Sequence, residues 1–130
     1  MAPIRVLIAD DNPSMLDEVI RLLQHEFEVV GIARDGQAVI ERGIHLAPDV
    51  FVLDIFMPII SGIEAAARLK QSGSETNVVF LTVQMDPDFV RTCLATGASG
   101  YVSKSHLATD LVAAIRCAME GTVFVSPRLR

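Results

Sequence analysis

Polar side chains with complementary chemistry stand where the short apolar segments of this 130-residue chain end. Asp10 and Asp11 follow the first segment, Asp54 the third, Thr82 the fourth and Lys104 the fifth. Carboxylates held close together repel one another, so such a group favours a hard divalent cation bound through oxygen. Mg²⁺ suits the group because it keeps several waters and uses one or two carboxylates with phosphate oxygens. Zinc is not expected, because no cysteine and histidine cluster lies nearby.

The same residues predict phosphoryl transfer. A carboxylate beside a bound cation can attack phosphorus and form an aspartyl-phosphate. The transferred group spreads negative charge over its oxygens, so it needs cations and hydrogen-bond donors around it. Lys104 and the hydroxyl of Thr82 can supply such contacts. We predict Asp54 as the nucleophile, because it ends the central strand of the expected sheet with the other groups on either side.

Two kinds of segment alternate along the chain and would position these side chains. Short apolar runs rich in β-branched residues predict strands buried on both faces of a parallel sheet. They cover residues 4–9, 28–33, 50–53, 78–81 and 100–102. Longer segments with helical spacing lie between and after them. The pattern predicts an α/β fold: a single doubly wound, five-stranded parallel sheet in the order 2-1-3-4-5 with five helices, flavodoxin-like.

Capping signals and strand ends give the fold its expected details. Asn12 before a proline predicts the start of the first helix, and Asp86 before a proline opens the fourth. Gly97 is placed to end the fourth helix, and Ser105 to cap the fifth. In sheets of this kind the ligand site lies at the carboxyl ends of the strands. We expect one domain over residues 1–125, with a tail or the start of a linker at 126–130.

The composition sets limits on function. Hydrophobic residues make up 51% and charged residues 21%, which is typical of a globular protein. The net charge of −5 argues against nucleic-acid binding by this chain itself. No apolar stretch reaches the ~18–20 residues that span a bilayer, and no signal peptide begins the chain, so we expect a cytoplasmic protein without membrane contact. Cys93 and Cys117 fall on apolar positions of predicted helices and are expected to be buried free thiols.

The chemistry-bearing residues resemble, in type, order and spacing, the receiver domain of bacterial two-component response regulators. The match runs from about Ile4 to Phe124, and residues 53–58 and 100–104 are its most specific parts. The closing residues 121–127 make the chain most similar to the subgroup that usually carries a C-terminal helix-turn-helix.

The resemblance implies a signalling switch rather than an enzyme. Asp54 would accept a phosphoryl group from a sensor histidine kinase, or from small phosphodonors, and lose it slowly by self-dephosphorylation. Asp11 would ligate Mg²⁺ directly and Asp10 mainly through water, and the carbonyl of Phe56 would complete the protein ligands.

The resemblance also implies how the switch works. The Thr82 hydroxyl would move toward the phosphoryl oxygen, and the Tyr101 ring would turn inward to fill the vacated space. Taken alone, Tyr101 would instead be a half-buried edge aromatic with its hydroxyl in water. The face of the fourth helix, fifth strand and fifth helix would control an effector domain or partner in transcription regulation, and would form any homodimer. On its helices Arg91, Arg116 and Asp110 are expected to be solvated. Either the chain acts alone, or a DNA-binding effector domain follows it in the full-length protein.

Some positions depart from the commonest family pattern. Ser105 stands where many receivers have proline, so a trans Lys104–Ser105 bond is expected, since a non-proline cis bond costs ~2.5–4 kcal/mol. Val83 stands where a small residue is usual, which would narrow access to the phosphoryl group. Phe56 and Gln84 occupy positions that the family uses to tune hydrolysis, and they predict slow loss of phosphate.

Other functions remain open on the sequence. An aspartyl-phosphate phosphatase of the haloacid-dehalogenase type also uses Asp, Thr and Lys, but it needs a second Asp where Phe56 stands. Its metal-binding acids also follow the lysine, whereas Asp10 and Asp11 precede Lys104. A flavin-binding domain lacks support, because no phosphate loop follows the first strand. An unphosphorylated interaction module of the same fold would not need the full set of acids, threonine and lysine.

Overall fold

Strands and helices alternate along the whole chain in a computed structural model that describes residues 2–83 and 86–127. The strands are β1 (Arg5–Ala9), β2 (Glu28–Ala33), β3 (Val50–Asp54), β4 (Asn77–Thr82), β5 (Gly100–Ser103) and β6 (Phe124–Val125). The helices are α1 (Pro13–Leu23), α2 (Gly36–Leu46), α3 (Gly62–Gln71), α4 (Pro87–Leu94) and α5 (Leu107–Met119). A 3₁₀ turn, Lys104–His106, joins β5 to α5. Gln84 and the end of the predicted tail, residues 128–130, lie outside the described residues.

The sheet corrects one prediction. Within the described residues it has six strands in the order β2-β1-β3-β4-β5-β6, whereas the sequence predicted five in the order 2-1-3-4-5. The predicted order of the first five is confirmed, and every pair is parallel. The added strand β6 has only two residues, too few to show an alternating or continuous apolar pattern, so periodicity could not reveal it.

Helices cover both faces of the sheet, as the flavodoxin-like prediction requires. On one face, α1 and α5 pack over apolar strand residues such as Val6, Ile8 and Val52. On the other face, α2, α3 and α4 pack over the alternate strand residues, such as Leu7 and Leu53. Successive strand residues therefore point to opposite apolar layers, which explains why each strand reads as a continuous apolar run.

The helix ends follow the capping signals with one exception. The Asn12 side chain accepts hydrogen bonds from the first turn of α1, and Asp86 accepts one at the start of α4. Gly97 has a φ of +88°, the left-handed conformation that ends a helical segment. The prediction that Ser105 caps α5 is wrong, because Ser103 caps the 3₁₀ turn through the Ser105 amide. The chain continues from that turn into α5, which has no side-chain cap.

The peptide bond after Lys104 agrees with prediction, and so does Cys93, but the prediction that Cys117 is buried is wrong. The Lys104–Ser105 bond is trans. Cys93 and Cys117 are free thiols, the first buried and the second partly exposed. Over the part of the chain that the structure describes, no helix combines the length and apolar character needed to cross a bilayer.

Candidate functional site

Four strands end at one edge of the sheet and bring the predicted residues together there. Asp10 directly follows β1, and Asp54 and Thr82 are the last residues of β3 and β4. Lys104 directly follows β5. The sequence predicted that the third and fourth strands end one residue earlier, at 53 and 81. In the structure Asp54 and Thr82 belong to the strands, so sheet pairing rather than a loop holds their backbones.

Three carboxylates form a compact cluster at this edge. One oxygen from each of Asp10, Asp11 and Asp54 can be chosen so that all three lie within 4.8 Å of one another. Asp10 is buried and its Oδ1 accepts a hydrogen bond of 2.9 Å from the Asn12 amide, while Asp11 is exposed. Asp54 keeps 6% of its surface exposed, so it can still be reached from solvent. The cluster offers only oxygen atoms, the ligands that Mg²⁺ and Ca²⁺ prefer.

Lys104 forms ion pairs with two of the three carboxylates. Its Nζ lies 2.9 Å from Asp10 Oδ2 and 3.2 Å from Asp54 Oδ1. The lysine is largely buried, so these ion pairs form where water screens them little. One positive charge thus faces three acidic groups. The cluster keeps an excess of negative charge, which a further cation could offset.

The environment shifts the pKa values of both partners. The pKa of Asp54 is raised above 3.8 by burial and by the charge of Asp10, and the nearby Lys104 offsets only part of this. Burial lowers the pKa of Lys104, but its hydrogen bond to Asp10 and the charge of Asp54 outweigh burial and raise it overall. Lys104 is therefore a cation at neutral pH. Its charge does not fully offset the effects of burial and of Asp10 on the Asp54 carboxylate.

The loop after β3 is folded tightly against Asp54 because a glycine permits it. The amide of Gly62 donates a 2.7 Å hydrogen bond to the Ile55 carbonyl, and a Cβ at position 62 would lie 2.2 Å from the Asp54 carbonyl oxygen. Ser61 caps α3 by accepting from the Glu64 amide at 3.1 Å. Residue 62 must therefore be glycine for this loop to return to the strand end.

Aromatic and aliphatic side chains border the acidic cluster. Phe56 is 57% exposed, and its ring stacks on Phe89 of α4 with 5.8 Å between centroids. Val83, next to Thr82, is also exposed. Phe56 occupies the position where a haloacid-dehalogenase-type phosphatase needs an acid, so its side chain offers no proton donor there. The effects of Phe56 and Val83 on phosphate lifetime stay predictions.

Tyr101 lies inside the domain. Its side chain is completely buried, so the prediction of a half-buried edge aromatic with its hydroxyl in water is wrong. The hydroxyl lies near the side chains of Thr82 and Cys93 but makes no hydrogen bond of normal geometry within the described residues. Burial is the main reason why the pKa of Tyr101 is raised to about 12. The ring belongs to the apolar layer on the face that α2, α3 and α4 cover, and Val125 of β6 packs against this layer.

Two buried polar residues were not predicted from the sequence. Asp110 on α5 was expected to be solvated, but it is buried with only 9% of its surface exposed. Ser126, directly after β6, is completely buried. A signal existed for Asp110, because it lies one residue before Leu111 and three after Leu107 on the apolar stripe of α5. No pattern in the sequence pointed to Ser126.

Known protein families include one that matches most of this chain. The profile of the response regulator receiver domain matches residues 6–116. The transcriptional regulatory protein DegU of Brevibacillus brevis is 34% identical over 97% of this chain and 54% of its own length. The response regulator GacA of Pseudomonas viridiflava is 34% identical over 97% of this chain and 60% of its own length. The chain thus spans roughly half of these relatives.

Solved structures are similar to this chain as well. A LuxR-family two-component response regulator from an Aurantimonas species gives a TM-score of 0.93 at 28% identity, covering 98% of this chain and 93% of that one. The receiver domain of the putative response regulator NarL from Mycobacterium tuberculosis gives 0.86 at 33% identity, covering 92% and 98%. The isolated receiver domain of RcsB from Salmonella enterica serovar Typhimurium, solved with the phosphomimetic BeF3−, gives 0.90 at 26% identity, covering 98% and 96%.

Proposed function

This chain belongs to the response regulator receiver domain family, and from that membership we propose that Asp54 is its phosphoryl acceptor. Receiver domains are signalling proteins, so the chain acts as a phosphorylation-dependent switch and not as an enzyme with steady turnover. The observation that carries the assignment is the ion-paired cluster at the carboxyl edge of the sheet. There Lys104 bridges Asp10 and Asp54, with Asp11 beside them.

The chemistry proposed for Asp54 is an in-line displacement at phosphorus. A carboxylate oxygen of Asp54 attacks the phosphorus atom, and an O–P bond forms as the P–N bond of a phosphohistidine, or the P–O bond of a small acyl phosphate, breaks. The bonding electrons leave with the donor group, and a phosphohistidine donor recovers its proton from solvent. Lys104 is placed to neutralise charge on the phosphoryl oxygens, which is the main requirement of this reaction.

Mg²⁺ is the cofactor we propose for the carboxylate cluster. The donor set fits such an ion, because Asp10, Asp11 and Asp54 offer oxygen atoms within 4.8 Å of one another and carry more negative charge than Lys104 offsets. A bound divalent cation would supply further positive charge to the transferring oxygens. We propose Asp11 and Asp54 as direct ligands, Asp10 as a ligand mainly through water, and the Phe56 carbonyl as the remaining protein ligand.

Thr82 and Tyr101 are the proposed switch residues. The new phosphoryl group adds ≈ −1.5 to −2 charges and three strong acceptors beside Lys104 and Thr82. Charge-assisted hydrogen bonds to these two groups contribute ~1.5–3 kcal/mol each. Moving an equilibrium from 1:99 to 99:1 takes ≈ 5.5 kcal/mol, so two such contacts approach a full switch. The buried Tyr101 ring lies next to Thr82 and would report its movement on the face formed by α4, β5 and α5.

The proposed partners derive from the family and from the relatives. A sensor histidine kinase is the proposed phosphodonor, and a homodimer through α4, β5 and α5 is the proposed assembly. DegU is named a transcriptional regulatory protein, and this chain covers 54% of its length. We therefore propose that the full-length regulator carries an effector domain, most simply one that binds DNA, and that this chain controls it.

Intact-protein mass spectrometry tests the assignment of Asp54. Incubation with Mg²⁺ and acetyl phosphate should add one phosphoryl mass to the wild-type chain, and none to Asp54→Asn. Asp17→Asn, which removes an exposed carboxylate from α1, is the matched control and should be modified like the wild type. Equal modification of Asp54→Asn would refute the assignment. Steady release of phosphate over many turnovers would instead favour a phosphatase.

A further inference from the structure

The segment after α5 is attached to the outer edge of β5. Phe124 and Val125 of β6 pair with Gly100 and Tyr101. The amide of Ser126 then donates a 3.0 Å hydrogen bond to the Tyr101 carbonyl. Ser126 is completely buried although Pro127 after it is exposed, so Ser126 fixes the segment after α5 to the sheet.

The Ser126 hydroxyl makes two hydrogen bonds that join three elements. It accepts from the amide of Ser103, the last residue of β5, at 3.0 Å. It donates to Oδ2 of the buried Asp110 on α5 at 2.7 Å. The other Asp110 oxygen accepts from the Thr109 hydroxyl at 3.1 Å. The Asp110 carboxylate therefore orients the Ser126 hydroxyl so that its lone pair faces β5.

Ser103 is the direct link from this arrangement to the phosphorylation site. Its amide is bound by Ser126, and its own hydroxyl accepts a 3.2 Å hydrogen bond from the Ser105 amide. Lys104 lies between these two anchored residues and reaches Asp10 and Asp54. The direction in which the lysine leaves β5 thus depends on where Ser103 is held.

We propose that Ser126 and Asp110 are positioning residues for Lys104, and that they couple the phosphorylation site to the segment that follows α5. The inference rests on the proposed function of Asp54 and goes beyond it. A phosphoryl group that displaces Lys104 also displaces the preceding Ser103, and with it the hydrogen-bonded Ser126. Because coupling between two sites is reciprocal, loosening Ser126 must also weaken the site's hold on a phosphoryl group.

Binding of beryllofluoride, a phosphoryl mimic, tests the proposal. In the presence of Mg²⁺, Ser126→Ala should bind it about three- to tenfold more weakly than the wild type, the effect expected for one lost positioning hydrogen bond. The Ser103 amide should exchange with solvent deuterium faster in the same variant. Fluorescence of Tyr101, the one tyrosine in a chain without tryptophan, reports the binding.

Two further variants separate positioning from stability. Thr122→Ala removes a hydrogen bond of 3.1 Å to the Cys117 carbonyl in the same C-terminal segment, but that bond does not involve β5. This control should bind beryllofluoride like the wild type. The double variant Ser126→Ala/Asp110→Ala removes the carboxylate that the single variant leaves buried without its partner. It should therefore melt at a higher temperature than Ser126→Ala, but bind beryllofluoride no better.

The outcomes are distinct. Weaker binding by both Ser126 variants with normal binding by Thr122→Ala supports positioning. Unchanged binding by Ser126→Ala, or affinity that recovers together with melting temperature in the double variant, would overturn it and leave a structural role only. If the wild-type chain itself bound no beryllofluoride at Asp54, the proposed function would fail first, and the coupling with it.

Discussion

β3 and β5 both lead into the phosphorylation site, but the sheet holds them differently. β3 lies between β1 and β4, and all five of its residues are buried. β5 pairs with β4 along its length, but on its other side it has only the two-residue β6 and Ser126. The interior strand carries Asp54, and the strand near the edge carries Tyr101 and leads into Lys104.

This difference separates the reaction from its readout. β3 pairs with β4 over all five residues and with β1 over the first four, and this pairing resists displacement. The acceptor carboxylate therefore stays where the loop of Gly62 and the neighbouring strands place it. A strand with short support on one side can shift at lower cost. We therefore expect changes at Asp54, or at Lys104 that contacts it, to alter whether phosphate is accepted, and changes at Thr82 and Tyr101 to alter the conformational response to it.

The largest effect is expected at Lys104, which follows β5 but contacts the acceptor at the end of β3. Lys104→Met keeps an unbranched side chain but removes the cation that contacts Asp10 and Asp54. The rate of phosphorylation by acetyl phosphate should fall about 100-fold, as for loss of one donor to a charged transition state. Lys70→Met, at an exposed position of α3, is the control and should leave the rate unchanged. An unaltered rate in Lys104→Met would place the lysine outside the reaction.

A smaller effect is expected at Thr82, the last residue of β4, which pairs with Ser103 of β5. Thr82→Ala should still gain one phosphoryl mass, because Asp54 and its acidic neighbours remain. Its Tyr101 fluorescence should no longer respond to phosphorylation, since the hydroxyl that links the phosphoryl group to the ring is absent. Mass spectrometry and fluorescence on the same sample check both statements. Loss of the mass change as well would assign Thr82 to the reaction. The reaction and the conformational response would then not depend on separate residues.

The smallest effect concerns stability and pH. Since the pKa of Asp54 is raised above 3.8 by burial and Asp10, the folded chain without metal is destabilised as pH rises through that raised pKa. Asp54→Asn should therefore raise the melting temperature at pH 7.5 in EDTA, by roughly 3–5 °C for an effect on the order of 1 kcal/mol. The gain should shrink toward pH 4, where the wild-type carboxyl is increasingly protonated. A variant that melts at or below the wild type at pH 7.5 would contradict this account.

The sequence was sufficient to predict the fold and the acidic cluster for a common reason. Buried parallel strands read as continuous apolar runs, and their carboxyl ends must share one edge of the sheet. Asp10, Asp54 and Lys104 could therefore be placed together although far apart in the chain, and the distances of 2.9 Å and 3.2 Å to Lys104 agree with that placement.

The features that the sequence did not predict depend on particular contacts. Tyr101 is buried in an apolar layer to which Val125 of β6 contributes, and a two-residue strand leaves no pattern. Asp110 was assigned to solvent because acids on helices are usually exposed, yet its partner Ser126 follows 16 residues later. Ser105 failed as a helix cap because the 3₁₀ turn begins before it and uses Ser103. Such pairings between distant polar residues carry no local signature.

The short strand β6 also affects how this domain can be recombined with others. Without Phe124 and Val125, the backbone groups of β5 that face outward would be an open sheet edge, and open edges pair with other chains. A chimaera that joined a new output module before residue 124 would lack β6. It is expected to aggregate even though its acidic cluster is intact. A junction after Pro127 preserves the protective strand together with Ser126, and is the safer design for a sensor built from this domain.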